Sequence, residues 1–129
     1  MNMVFRLVIA ALGVASLAFG IIFIVQAGSG TQQIADDIAP LPIGQVDARY
    51  DQVSANWQQV MAAEEPNIQA GKAAPSDMYN YLTVQRTGLG LTRTNVGMVG
   101  SIRTNGIVDA IIGVGLILVG IAVPAKSKA

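Results

Sequence analysis

Cysteine and histidine are both absent from the 129 residues. Without cysteine there are no disulfides, no iron–sulfur clusters, no thiolate zinc sites and no thiol nucleophile. Without histidine, the commonest metal ligand and the usual acid or base at neutral pH are missing. Charge is scarce too: 12% of residues carry it, against about 25% in soluble domains. Lys+Arg and Asp+Glu both number 8, so no net field recruits nucleic acid. Aromatics are only 5%. What remains is apolar: 52% hydrophobic residues and a mean hydropathy of +0.50. This is the composition of a small membrane protein with little reactive chemistry, and no enzyme is expected.

Two apolar runs stand out. Val4 to Val25 holds fourteen Val, Ile, Leu or Phe residues, with Arg6 its only charge. A spanning helix needs about 20 residues, and an Arg so near the end can snorkel. The core is longer than the 7–15 residues of a signal-peptide centre, which predicts an uncleaved anchor. Ile107 to Val123 carries eleven Val, Ile or Leu residues and one acid, Asp109. At about −0.3 to −0.6 kcal/mol each, they outweigh the roughly +2.5 to +3.5 kcal/mol of a central Asp. Pro124 and the basic Lys126 and Lys128 follow.

Lysines and arginines near span ends favour the cytoplasmic side. Arg6, Lys126 and Lys128 therefore predict both termini in the cytoplasm, and Arg103 speaks against it. The expected organisation is an all-α membrane protein with two transmembrane helices in an antiparallel hairpin. Residues 1–26 hold the N-terminus and first span, 27–103 an extracytoplasmic helical segment, 104–123 the second span and 124–129 the tail.

Within the middle segment, the first helix should continue to Pro40-Leu41-Pro42, which cannot extend it. Gln45 to Glu65 repeats apolar residues at three- and four-residue steps, and Pro66 should stop that helix. Asn67 to Pro75 reads as a linker, and Ser76 as the N-cap of the next helix, with Asp77 at its positive end. Met78, Leu82, Leu89, Val96 and Val99 form a narrow stripe, with Arg86 and Arg93 on another face. Gly88, Gly90, Gly97 and Gly100 weaken a helix there, so the expectation is a helix that reaches or joins the second span, with room for a kink between Gly97 and Gly106.

The stripe Tyr50, Val53, Trp57, Val60 and Met61 has few matching residues in the next helix. It is expected to face another polypeptide, against the plainer reading of an internal packing stripe. Gly13, Ser16 and Gly20 share one face of the first span, and Gly106, Ala110, Gly113 and Gly120 one face of the second. Small residues let backbones approach in lipid, so these faces predict packing of the two spans. The competing reading is that glycine is common in membrane helices. Asp109 is expected a turn inside the outer end, near Gly20 and Phe23. Asn105, Gln26 or an Arg or Lys of another subunit would be its partner; proton handling and an ordinary interfacial acid are the alternatives. Asp36-Asp37 and Glu64-Glu65 diverge by about 100° on a helix, which suits a solvated surface rather than a metal. Gly88-Leu89-Gly90 lacks the strand and third glycine of a dinucleotide loop.

The run Asn105-Gly106-Ile107-Val108-Asp109-Ala110-Ile111-Ile112-Gly113-Val114-Gly115, continued by Leu116 to Gly120, resembles the second span of small, uncharacterised two-span bacterial membrane proteins. Ala10 to Gln26 is similarly reminiscent of their first span. The resemblance implies a hairpin, a helical outer loop and a bacterial inner membrane, and no activity. Together these readings predict a non-catalytic accessory subunit among other integral membrane subunits, with no cofactor or metal. A self-associating scaffold or sensor, as a homo-oligomer in the bilayer, is the alternative.

Overall fold

A single helix, α1, runs from Met3 to Asp37. Over residues 4–25 its apolar residues surround it on all sides, while the segment after them is polar. In the computed structural model residues 3–122 are described; Val123, Pro124, Lys126 and Lys128, and with them the expected stop of the second span and its basic tail, lie outside the described residues. Beyond α1, the chain turns at Ile38–Pro42, where the Leu41 amide donates to the Ile38 carbonyl at 2.9 Å. Proline has no amide hydrogen and disfavours the helical conformation of the residue before it, so the turn falls where Pro40 and Pro42 sit. A short 3-10 turn, Ile43–Gln45, leads into α2, Val46–Gln69.

Pro66 does not stop α2. It lies inside the helix, which continues to Gln69. Proline removes one i→i−4 hydrogen bond, but only the final turn remains beyond it, and that turn is closed by other bonds. The Gly71 amide donates to Ile68 at 3.0 Å and the Lys72 amide to Asn67 at 2.9 Å. Gly71 takes φ +66°, the left-handed conformation that glycine adopts without a Cβ clash. The stop signal is the glycine five residues on.

Ser76 begins α3, Asp77–Ala122, as its N-cap: its Oγ accepts the Tyr79 amide at 3.1 Å. The cap is itself held by Glu64, whose carboxylate accepts Ser76 Oγ at 2.6 Å and the Ser76 amide at 2.9 Å. From there α3 is helical without interruption for 46 residues, so residues 78–103 and the second apolar run form one helix with no break between Gly97 and Gly106. The threonines of the glycine-rich stretch remain compatible with it because their hydroxyls bond back one turn. Thr92 donates to Gly88, Thr94 to Gly90 and Thr104 to Gly100, at 3.0–3.1 Å, which satisfies each hydroxyl inside the helix.

The described residues are all helix and turn, with no strand. Two of the helices, α1 and α3, are long and apolar enough to cross a membrane. The chain divides into two compact units: a terminal unit of residues up to Gln32 and from Met98, and a middle unit, Gln33–Gly97.

Candidate functional site

In the terminal unit, α1 and α3 meet backbone to backbone. A Cβ at Gly13 would lie 2.8 Å from the Gly113 carbonyl oxygen, and one at Gly20 would lie 2.6 Å from the Gly106 oxygen and Ala110 nitrogen. At Gly113 it would meet the Leu17 nitrogen at 2.5 Å, and at Gly120 the Ala10 Cβ at 3.0 Å. Cβ atoms essentially never come within 3.0 Å of such atoms, so the approach requires glycine at Gly13, Gly20, Gly106 and Gly113. Those four and Gly120 are buried. The contacts run in opposite sense, and each step of seven residues up α1 is answered by a step of seven back along α3.

Ser16 and Ala110 complete the faces read from sequence: Ser16 Oγ donates to the Asp109 carbonyl at 2.8 Å. Three further residues belong to this contact. Ala27 is 1% exposed and extends the series of Gly13 and Gly20 by another seven. Gly30 faces Val99, a Cβ there meeting its side chain at 3.1 Å. Arg6 donates from Nε to the Gly120 carbonyl at 3.0 Å and from Nη2 to the Ile121 carbonyl at 2.7 Å; the residue four beyond Gly120 is Pro124, which has no N–H to offer that carbonyl. The seven-residue spacing of positions 6, 13, 20 and 27 was the signal available for Arg6 and Ala27.

The same register places Asp109 close to its expected level. Its carbonyl accepts Ser16 Oγ, and the next residue, Ala110, turns its nitrogen toward Gly20, so Asp109 stands level with Phe19. From there to Val25 is about 9 Å along the helix. The side chain is half-buried, and neither Asn105 nor Gln26 bonds to it. Its carboxylate makes no hydrogen bond or ion pair with any described residue. Arg6 is engaged at the other end of the helix pair, and Arg103 is six residues away, about 9 Å along the axis. An acid at the centre of a span costs roughly 2.5–3.5 kcal/mol on the insertion scale, and less toward its end.

In the middle unit, α3 of the same chain supplies partners to Tyr50 and Trp57 of the α2 stripe, more than the expectation of few matching residues allowed, and leaves the stripe half-exposed apart from Val53. Val53 is 2% exposed and Leu82 6%. The Trp57 indole N–H donates to Thr83 Oγ1 at 2.9 Å. The Arg86 guanidinium lies 4.5 Å from the centre of the Trp57 ring and 6.0 Å from that of Tyr50, with Arg93 5.5 Å from Tyr50. Arg93 also pairs with Asp47 at 2.8 Å. Val60 and Met61 are half-buried. Arg86 and Arg93 therefore face the aromatic stripe: a guanidinium stacks on a ring and its methylene stem covers apolar surface.

Where α2 ends, two carboxylates tie it to the start of α3. The Ser76 bonds to Glu64 hold its carboxyl below the ordinary value, because hydrogen bonds to the charged form favour it. The Tyr79 hydroxyl donates to Glu65 at 3.0 Å, and that carboxylate raises the tyrosine's pKa. An open cleft of about 830 Å³ lies between the Pro40–Pro42 turn, α2 at Arg49 and α3 at Leu89. Among the described residues no three Asp or Glu gather as a metal site needs. No protein family matches this chain, no curated protein is similar to it, and no solved structure resembles it.

Proposed function

We propose that the chain is a non-catalytic structural subunit of a larger integral membrane assembly. In this reading α1 and α3 form a transmembrane hairpin in a bacterial cytoplasmic membrane, with both termini cytoplasmic and the middle unit outside. The chemistry of a catalyst is poorly represented, with neither cysteine nor histidine in the chain. Glycine-to-backbone packing gives the hairpin a fixed shape, the property required of a subunit that works by fitting against others.

One observation carries the reading. Tyr81, Val84 and Leu91, on one face of α3 within the middle unit, are 57%, 72% and 63% exposed. They recur at three- and seven-residue steps, so they stand on one side of the helix. Val84 belongs to the middle unit, well before the apolar run that starts at Ile107, and in this reading lies outside the hydrocarbon. An apolar face of this kind outside lipid marks a protein contact.

Native membranes extracted in mild detergent test the proposal. The chain is expected to migrate in stoichiometric complex with other membrane proteins. Val84→Asp is expected to reduce its retention at least about tenfold, the equivalent of 1.4 kcal/mol, while the chain stays inserted. A chain that runs alone as a monomer refutes the proposal. A homo-oligomer dissociated by Val84→Asp replaces it with the self-associating scaffold.

A further inference from the structure

The face of α3 that packs on α1 is not its only seam. Ile102, Asn105, Asp109, Ile112, Leu116 and Val119 also recur at alternating three- and four-residue steps, the spacing with which one helix receives another. This seam is turned by one residue, about 100°, from the glycines at 106, 113 and 120. Asn105, Ile112 and Val119 are exposed, and the others are half-buried. It is apolar except for two adjoining positions, Asn105 and Asp109, one turn apart.

We propose that this seam receives a membrane helix of another subunit that carries a lysine or arginine at the level of Asp109. The inference rests on the subunit reading and names the chemistry of the partner. Lipid tails cannot answer the Asp109 carboxylate, and a headgroup amine is about 9 Å away at the end of the span. A second copy of the chain is a poor occupant. Side by side in the same orientation, two copies set Asp109 against Asp109 and add a like charge. The nearest cation a second copy brings, Arg103, is the same six residues off level. A cation from a different helix answers the carboxylate directly, and the Asn105 amide supplies a further acceptor for its N–H groups.

The full chain, labelled at a cysteine introduced at Ser29 (unique because the protein has none), is reconstituted in phosphatidylcholine vesicles. The probe is a fluorescent polyleucine spanning peptide with one lysine about six residues inside its outer end; the control has leucine there. Energy transfer is expected to show at least about tenfold tighter binding of the lysine peptide. Asp109→Asn should bring the two peptides to parity, and Asp109→Glu should preserve the difference. Equal binding of the two peptides to the wild-type chain overturns the inference. So does an undiminished preference in Asp109→Asn, or self-association of the chain that depends on Asp109. In native membranes, release by Val84→Asp with full retention of Asp109→Asn also overturns it and leaves the subunit reading intact. A chain without any native partner refutes the subunit reading, and the peptide measurement still decides the chemistry of the seam.

Discussion

The two units join antiparallel helices by opposite means. Between α1 and α3 of the terminal unit, side chains are nearly eliminated: Gly13 meets Gly113 and Gly20 meets Gly106 through backbone atoms. Between α2 and α3 of the middle unit, the contact is made of the largest side chains available, Trp57, Tyr50, Arg86 and Arg93. Both contacts repeat every seven residues, so the difference lies in the chemistry and not in the period. In water, burying a large side chain is favourable, and a guanidinium over a ring adds to it. In lipid an apolar side chain gains nothing by leaving its surroundings, and attraction between helices depends on how closely backbones approach. The contrast is what the proposed placement, with the terminal unit in lipid and the middle unit in water, demands.

The strongest way to break the contrast is to give the glycine seam a side chain. Gly113→Leu drives carbon into the Leu17 backbone, which cannot swing aside as a side chain would. Overpacking typically costs about 1–3 kcal/mol, occasionally more, and this position belongs at the upper end. Gly115→Leu, where a Cβ meets nothing within 4 Å, should change stability by about 0.5 kcal/mol or less. Unfolding of the full chain in mixed detergent micelles measures both, and equal behaviour would erase the distinction.

Trp57→Ala is the matching change in the middle unit, with a smaller effect because the indole is only half-buried. A fully buried Trp→Ala costs about 3–5 kcal/mol; about 2 kcal/mol is expected here. Hydrogen exchange on the full chain should show α2 amides losing protection while α1 amides near Gly13 keep theirs. Loss of protection in both would mean that the two contacts are not separable.

Titration produces the smallest effect and sharpens the comparison most. Glu64 is held below its ordinary 4.5, so it contributes stability above that value, lost as pH falls through the lowered pKa. Tyr79 is raised above 10.0, so its contribution is present below 10 and lost as pH rises through the raised value. The α2 C-terminus should loosen at both extremes, and among the described residues no ion pair bridges the glycine seam to make it follow. Amide protection against pH checks this. Glu64→Gln should flatten the acid limb, and an unchanged limb would assign it elsewhere.

Much of this architecture was readable in the chain before any coordinates. Glycines at 13, 20, 106, 113 and 120 named the faces that meet, because only small residues serve that purpose in apolar helices. Ser76 announced a helix start through its side chain. What escaped had non-local causes. Pro66 looks like a stop, yet the bonds that close α2 depend on Gly71 and on Glu64 reaching Ser76. Arg86 and Arg93 read as a face apart from the apolar stripe because a guanidinium's charge hides its affinity for rings. The position of Asp109 near Gly20 was legible, because pairing the two glycine faces antiparallel fixes the register between α1 and α3.

Arg6 carries a consequence for assembly. Its acceptors, the carbonyls of Gly120 and Ile121, lie 114 and 115 residues further along the chain. A ribosome adding about 5–20 residues per second leaves this guanidinium waiting several seconds, long after α1 is complete. Until then α1 holds an unsatisfied cation and a bare glycine face, both of which any passing helix can occupy. The join at Arg6 is therefore the last to form during synthesis, and the interval before it closes is when the chain is most open to the wrong neighbour.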